Sequence, residues 1–193
     1  MSLRIEQDGR LRRITLAGVA QRNLLDAVSA ARLLEELRDA AADDGSGAIL
    51  IDADGPVFCS GVEGEAAAEL FSISRRISKP LVAAAQGVVI NGGVALLASA
   101  HVVVAAQGTS FGLTDIREGK WNEEIYRAVA GAIGERRALE LSLTGRIFTT
   151  PDAVAWGLVH TAAPAFELDD RATGIATALA NANVEAVRAA LRR

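Results

Sequence analysis

The spacing of hydrophobic residues along the chain changes between the two periods that distinguish strands from helices. Apolar and polar residues alternate in residues 3–8 and 11–17, on either side of a glycine and an arginine, and predict an antiparallel hairpin. In residues 26–42 the apolar positions recur at helical spacing, which predicts a helix that Asp26 can cap. Short apolar runs without alternation predict further, buried strands at 48–51, 80–85 and 102–105.

Helical spacing dominates the rest of the chain. It predicts helices at 65–77, 92–100, 123–133, 135–144, 150–156, 169–181 and 184–192, and a last short strand is predicted at 158–160. Because apolar strands alternate with helices, we expect an α/β fold built on a largely parallel sheet with both faces covered. The pattern contains neither a linker nor a convincing internal repeat.

Two glycine-rich turns are the most informative local feature: GPVFCSGVE at 55–63 and QGVVINGGVALL at 86–97. Each follows an apolar run and precedes a helical segment, where backbone N–H groups lack acceptors at the positive end of the helix. Two such N–H groups that converge on one point form an oxyanion hole, which stabilises negative charge on a carbonyl oxygen. Ordinary strand-to-helix turns are the alternative, and on the glycines alone that alternative is favoured.

Composition narrows the possible functions. Half of the 193 residues are hydrophobic but only 4% are aromatic, which predicts a core of alanine, leucine, valine and isoleucine. The net charge of −4 and the lack of a broad basic face argue against a nucleic-acid-binding protein. The sequence has no apolar run of membrane-spanning length and no apolar leader, and its single cysteine, Cys59, precludes an internal disulfide. A cytoplasmic protein is therefore expected.

The few other reactive side chains are interpreted as structural. His101 follows an apolar helix and begins an apolar strand, which favours a hydrogen-bonded core histidine, and His160 is expected to be structural as well. Two histidines without spaced acid or cysteine partners predict no metal site. Cys59 has no evident base partner and is interpreted as a packing residue.

Four segments carry the motifs of a known family in the family's own order: FCSGVE (58–63), KPLVAAAQGVVINGGVALLASAHVVVA (79–105), FGLTDIREG (111–119) and ALELSLTGRIFTTPDAVAWGLVH (138–160). With them the chain resembles the enoyl-CoA hydratase/isomerase, or crotonase, superfamily. The segment RNLLD at 22–26 is similar to the part of the family that contacts the adenine of coenzyme A. Each motif alone is weakly specific, whereas four in this order and spacing are specific.

The resemblance implies an α/β fold with a crotonase-like repeated ββα spiral core at 1–165 and a partial, shortened C-terminal helical segment at 166–193. It also implies an acyl-CoA thioester as substrate, no further cofactor, and a homo-oligomer, either a trimer or a hexamer. The apolar stripe of Ala176, Leu179 and Ala180 has no evident partner later in the sequence, and a second subunit is expected to cover it.

Matched position by position, the resemblance implies a set of site residues. The oxyanion hole consists of the backbone N–H groups of Val62 and Gly92, and a catalytic acid lies at Asp115. Contacts with coenzyme A are implied for Arg22, Asn23, Leu24 and Ser60.

The chain departs from the hydratase branch of the family at its paired glutamates. The first falls at Ala95, among apolar neighbours, and the second at Asp115, so hydration by two glutamates is not expected. In the dienoyl-CoA isomerase branch an acid lies eight residues beyond the Asp115 position. That residue is Glu123 here, although a shift of one residue leaves Glu124 open, and a charged first turn of a helix is the alternative for both. Asn91 stands where the family commonly has glycine.

These residues leave three functions open. The favoured one is an isomerase that moves a double bond in an acyl-CoA, with the enolate held by the two amides. The protons are carried either by a single acid or by two acids, Asp115 and Glu123, that divide the work. The alternatives are a weak enoyl-CoA hydratase, in which the same two acids hold the water, and a catalytically inactive protein that binds acyl-CoA. The intact oxyanion glycines favour the isomerase, whereas Ala95 favours the binding protein.

Overall fold

A computed structural model describes residues 2–192 and opens with the predicted hairpin. Strands β1 (Leu3–Asp8) and β2 (Leu11–Leu16) pair antiparallel, with Leu3 opposite Leu16. The predicted helix follows as α1 (Ala27–Ala42), whose first turn is capped by the carboxylate of Asp26, which accepts a 2.8 Å hydrogen bond from the Ser29 amide. Both elements are thus confirmed, and so is the cap.

The larger of two sheets contains the predicted buried strands. Its order is β1-β2-β3-β5-β7-β10, and every pair after the opening hairpin is parallel. The strands after the hairpin are β3 (Ala48–Ala53), β5 (Leu81–Ala85), β7 (Val102–Ala106) and β10 (Thr161–Ala163). The final strand was predicted three residues too early, because His160 lies outside the sheet and bonds to the neighbouring strand instead.

The second sheet was not predicted by the hydrophobic pattern. It has the order β4-β6-β8-β9 and is parallel except for its last pair. Its strands have only three residues each: β4 (Val57–Cys59), β6 (Val88–Ile90), β8 (Ser110–Gly112) and β9 (Ile147–Thr149). The first three each come directly after a strand of the large sheet, and β4 and β6 then lead into a helix. This is the repeated ββα order that the resemblance implied.

The remaining helices are α2 (Ala66–Leu70), α3 (Gly92–Ala98), α4 (Glu123–Ile133), α5 (Glu135–Thr144), α6 (Thr150–Ala155), α7 (Leu168–Ala180) and α8 (Val184–Leu191). The single helix predicted over 65–77 is wrong, because α2 ends early and a 3-10 turn covers Ile73–Arg75. The hydroxyl of Ser72 donates to the carbonyls of Ala68 and Glu69, both at 3.3 Å, and so competes with the helical backbone pattern. Within residues 2–192 no helix is long and apolar enough to cross a membrane.

Apolar side chains cover both faces of the large sheet, as predicted. One face packs beneath α1, α3 and α4, and the small sheet completes this core with the buried rings of Phe58, Phe111 and Phe148. The other face lies beneath α7, whose Ala176 and Ala180 are buried there, with Leu179 packed beside them. The expectation that a second subunit covers this stripe is therefore wrong, since the chain's own sheet covers it.

Candidate functional site

The first glycine-rich turn brings Val62 beside the segment that precedes α1. Leu25 donates from its amide to the carbonyl of Gly61 at 3.0 Å, and Glu63 donates to the carbonyl of Leu25 at 2.8 Å. Because N–H groups alternate in direction along an extended segment, the amide of Val62 points away from Leu25. This pairing holds the turn in place while the Val62 N–H is directed elsewhere.

The second glycine-rich turn places the start of α3 directly against Val62. A Cβ atom added to Gly92 would lie 2.5 Å from the backbone nitrogen of Val62, a distance that no side chain tolerates. Gly92 is the first residue of α3, where an N–H has no partner inside the helix. Among residues 2–192, neither the Val62 N–H nor the Gly92 N–H has a hydrogen-bond acceptor. The turns therefore bring together two amides whose donors are both open.

Cys59, the last residue of β4, packs against the start of α3. A Cβ atom on Gly93 would lie 2.4 Å from the carbonyl oxygen of Cys59, so the helix start and the end of β4 are in close contact. The thiol of Cys59 is fully buried and lies 3.2 Å from the carbonyl of Gly61. Burial raises the pKa of this thiol to about 12. A neutral, enclosed thiol has no nucleophilic role, in agreement with its interpretation as a packing residue.

Asp115 begins a 3-10 turn (Asp115–Glu118) that follows β8. Its Oδ1 accepts a 2.6 Å hydrogen bond from Nδ2 of Asn91, the residue that immediately precedes Gly92. Burial raises the pKa of the Asp115 carboxyl, the Glu118 carboxylate raises it further, and the Lys120 ammonium opposes both. The acid is thus half-buried and attached to the turn that carries one of the two open amides.

A cavity of about 20 Å³ adjoins Asp115. Asn91, Asp115, Lys120, Trp121 and Ser142 are among the side chains that line it. A space of this size accommodates about one water molecule, and several of its walls are polar. Asp115 therefore has room beside it for one small group.

Glu123 lies outside this cavity. It is the first residue of α4, its side chain is 49% exposed, and one of its oxygens accepts from Nε of Arg127 at 2.9 Å. The other oxygen accepts from the indole N–H of Trp121 at 3.1 Å. The structure does not bring Glu123 to Asp115, and the acidic neighbour that raises the pKa of Asp115 is Glu118 instead. A catalytic role for Glu123, or for the equally exposed Glu124, stays a prediction.

The predicted coenzyme A segment forms a tight loop around a buried side chain. The amide group of Asn23 is fully buried, accepts from the Gly18 amide at 2.8 Å, and donates to the carbonyls of Asp54 and Val57 at 2.9 and 2.7 Å. These bonds occupy the side chain, which leaves the backbone of Asn23 for the predicted contact with coenzyme A, and that contact stays a prediction.

The other three residues of the predicted coenzyme A site keep some surface. Arg22 is exposed, and Leu24 and Ser60 are partly exposed. A Cβ atom on Gly61 would lie 3.1 Å from Cδ1 of Leu24, which places Leu24 against the first glycine-rich turn. Contacts of these three residues with coenzyme A stay predictions.

Both histidines accept hydrogen bonds from the starts of strands. Nδ1 of His101 accepts from the Leu81 amide at 2.9 Å, and Nδ1 of His160 accepts from the Val103 amide at 3.0 Å. Burial lowers the pKa of His101 and keeps its acceptor nitrogen unprotonated. The structural interpretation of the two histidines is confirmed.

Ala95 lies on α3 and is completely buried. No acidic side chain is present on this helix, so nothing there replaces the hydratase glutamate. Over residues 2–192, no three His, Cys, Asp or Glu side chains gather as a metal site would require.

Asn91 is the site residue whose role sequence reasoning missed. The sequence signal was present, since Asn91 replaces glycine in a glycine-rich turn, but its partner lies 24 positions further along the chain. Nothing in the spacing of residues 91 and 115 indicates that a hydrogen bond joins them.

Comparisons with known proteins identify the family. A family model described as enoyl-CoA hydratase/isomerase matches residues 6–193. The chain therefore belongs to the enoyl-CoA hydratase/isomerase family, whose crotonase fold its two sheets and ββα order reproduce.

Individual relatives, which are 26–34% identical to this chain, support the family assignment. Enoyl-CoA hydratase domain-containing protein 3, mitochondrial, of Rattus norvegicus is 28% identical over 91% of this chain and 64% of its own. Mevalonyl-coenzyme A hydratase of Aspergillus fumigatus is 34% identical over 59% of this chain and 43% of its own. The crystal structure of an enoyl-CoA hydratase/isomerase family protein from Silicibacter pomeroyi superposes with a TM-score of 0.93 at 26% identity, covering 99% of this chain and 89% of that one. The chain thus spans less than two thirds of the length of these two curated relatives.

Proposed function

We propose that this protein is an acyl-CoA thioester enzyme that moves a carbon–carbon double bond, using a two-amide oxyanion hole and one carboxylate. The observation that carries the proposal is the meeting of the Val62 and Gly92 amides, with Asp115 bonded to the residue before Gly92. Two fixed N–H donors stabilise the charge that develops on a thioester oxygen when the adjacent carbon loses a proton. Asp115, the group proposed to remove that proton, is held by a hydrogen bond from Asn91 in the second glycine-rich turn.

The proposed reaction transfers one proton within the substrate. The Asp115 carboxylate removes a proton from the carbon between the thioester and the double bond of a 3-enoyl-CoA. The electron pair spreads onto the thioester oxygen, where the N–H groups of Val62 and Gly92 donate to it. The protonated Asp115 then returns the proton to the far end of the former double bond, which yields the conjugated 2-enoyl-CoA. The half-buried position of Asp115, which raises its pKa, suits a group that accepts and returns a proton.

A single base is preferred over the pair Asp115 and Glu123 because of where Glu123 lies. Its carboxylate pairs with Arg127 and Trp121 on the surface, outside the cavity next to Asp115. The two-acid mechanism requires Glu123 to leave both partners.

Hydration is the second candidate function, because relatives of this chain bear the names of hydratases. Addition of water needs groups on both sides of the attacking molecule, and the buried Ala95 supplies none. We therefore expect hydration to be slow compared with isomerisation. A protein that binds acyl-CoA without reacting is the outcome if neither activity is found.

The decisive experiment is a spectrophotometric assay with 3-enoyl-, 2-enoyl- and dienoyl-CoA thioesters. We expect isomerisation of at least one substrate and a loss of about 10²–10⁴-fold in kcat for Asp115→Asn. Since burial raises the pKa of Asp115, its ionised form is disfavoured in the fold, and Asp115→Asn should not lower the melting temperature at neutral pH.

Glu118→Gln is the matched control, because it makes the same change in the same turn on a side chain that pairs with Lys120 at the surface. We expect this variant to keep most of the activity. Full isomerase activity in Asp115→Asn would exclude Asp115 as the base, and rapid hydration of crotonyl-CoA would favour the hydratase.

The proposal also covers the contacts with coenzyme A and the need for a cofactor. Arg22, Leu24 and Ser60 are the residues proposed to contact coenzyme A, and the reaction needs no cofactor beyond the coenzyme A of its substrate. A homo-oligomer and a cytoplasmic location stay predictions.

A further inference from the structure

Asn91 adopts a backbone conformation that normally belongs to glycine. Its φ is 48° and its ψ is −109°, so it lies at positive φ outside the left-handed helical region. Two glycines follow it, yet this position carries a side chain. A residue that keeps an unfavourable conformation next to a site is held there by its surroundings.

Polar contacts tie Asn91 to the segment that carries the acid. Its backbone amide donates to the carbonyl of Gly112 at 2.8 Å, and its Oδ1 accepts from the amide of Thr114 at 2.6 Å. Its Nδ2 donates to Oδ1 of Asp115 at 2.6 Å. Because the Thr114 amide can only donate, the oxygen of Asn91 must face Thr114 and the nitrogen must face Asp115. The direction of the bond to the carboxylate is thereby fixed.

We propose that Asn91 is a positioning residue for Asp115. Asn91 binds one oxygen of the Asp115 carboxylate and so directs proton transfer to the other oxygen. The bond occupies Oδ1, so the mobile proton is carried by Oδ2. Since Gly92 is the next residue, the same turn sets the acid relative to one oxyanion donor. The catalytic meaning rests on the proposed function, whereas the effect of Asn91 on the protonation of Asp115 does not.

The charges around Asp115 are few. Glu118 and Lys120 lie in the same turn and its continuation, and they pair with each other at 2.8 Å. Glu63, from the first glycine-rich turn, acts on Lys120. The side chains that α4 and α5 contribute to the adjoining cavity are uncharged, and they are Ile125 and Ser142. Asn91 donates a hydrogen bond directly to the Asp115 carboxylate, and a bond of this kind favours the ionised form of a carboxyl, in opposition to burial.

The test compares Asn91→Gly with Asn91→Asp by carboxyl-carbon NMR, with the signal of Asp115 assigned by its loss in Asp115→Asn. Asn91→Gly removes the donor and suits the backbone, so we expect an intact fold and a higher titration midpoint for Asp115. Asn91→Asp keeps an acceptor for Thr114 but puts a second carboxylate beside Asp115, and the midpoint should rise there too. With an active substrate, kcat of Asn91→Gly should fall about tenfold or more, with little change in KM.

Asn181→Gly is the matched control, because the Asn181 amide bonds within its own helix end, to the carbonyl of Thr177. This variant should leave the Asp115 midpoint where it is. An unchanged midpoint in both Asn91 variants overturns the proposal whatever the activity. If the unaltered chain converts none of the thioesters, the proposed function fails, and the NMR titration still decides whether Asn91 controls Asp115.

Discussion

Two regions of this molecule differ in whether their backbone amides have hydrogen-bond acceptors. The first comprises the starts of β5 and β7 in the large sheet, and the second comprises the turns that follow β4 and β6 in the small sheet. At the first region the imidazoles of His101 and His160 accept from the amides of Leu81 and Val103. At the second, the amides of Val62 and Gly92 meet without an acceptor among residues 2–192. The fold can supply side-chain acceptors to amides outside the regular ladders. The two open donors at Val62 and Gly92 therefore belong to this particular place in the fold, which is the place proposed above to receive a thioester oxygen.

The largest effect is expected when the close approach at the second region is broken. In Gly92→Ala the new methyl group would lie 2.5 Å from the Val62 nitrogen, so one of the two turns must move. We expect a loss of about 10²–10³-fold in kcat, as for removal of an oxyanion donor. Overpacking should also lower the free energy of unfolding by about 1–3 kcal/mol.

Gly174→Ala is the matched control for that variant. Gly174 lies within α7, and a Cβ atom added there meets nothing within 4 Å. This exchange should raise the free energy of unfolding by about 0.5–1 kcal/mol and leave kcat unchanged. Wild-type activity in a folded Gly92→Ala variant would show that the geometry of this amide is not used.

A smaller effect, confined to stability, is expected in the first region. His101→Ala leaves the amide of the fully buried Leu81 without its acceptor and should lower the free energy of unfolding by about 1–3 kcal/mol. His101→Asn retains a side-chain acceptor and should recover part of the loss. Denaturant titrations at neutral pH measure both values, and the two variants should keep their activity. Equal stability of the alanine and asparagine variants would contradict the acceptor role.

The pH dependence of stability sharpens this prediction. Burial lowers the pKa of His101 from its ordinary 6.5, so below that pH the unfolded chain takes up a proton that the folded chain resists. The folded form should accordingly lose stability as the pH falls through this range. His101→Asn has no titrating group at this position and should show a weaker dependence.

The smallest effect is expected for Glu123→Gln. Its carboxylate forms an exposed pair with Arg127 one helical turn away, and such pairs contribute about 0.3–0.5 kcal/mol. Denaturation and the isomerase assay should both give values close to those of the unaltered chain. A large loss of kcat would favour the two-acid alternative that the sequence left open.

Hydrophobic spacing was sufficient to predict the first five strands of the large sheet and most helices, because those elements are long enough for their pattern to be visible. The last strand of that sheet, β10, has only three residues and was predicted three residues too early. The strands of the small sheet have three residues each, and a period of two cannot be recognised over such a length. The early end of α2 depends on a hydroxyl of Ser72 bonding to the backbone, which apolar spacing does not report.

The sequence predicted only some of the residues and contacts of the candidate site. The motifs named Val62, Gly92 and Asp115. The fold places Gly92 against Val62 and bonds Asp115 to Asn91, the residue before Gly92, while the roles of the three residues stay predictions. The surface pairing of Glu123 and the burial of Asn23 depend on neighbours distant in sequence, from Trp121 to Val57. A motif gives the type of residue at a position but not whether its polar atoms are already engaged.

The positions of the two tryptophans allow ligand binding and unfolding to be followed by intrinsic fluorescence. Trp121 is 46% exposed at the edge of the cavity next to Asp115. The ring of Trp156 packs at a tilt against Phe148 of the small sheet, with 5.3 Å between the ring centroids, beneath the guanidinium of Arg137. If the proposed thioester binds beside Asp115, we expect the emission of Trp121 to change, whereas the emission of Trp156 should change when the small sheet melts. Replacing Trp156 by phenylalanine leaves Trp121 as the single tryptophan, so selective excitation of tryptophan can follow occupancy of the proposed site without labels and without turnover.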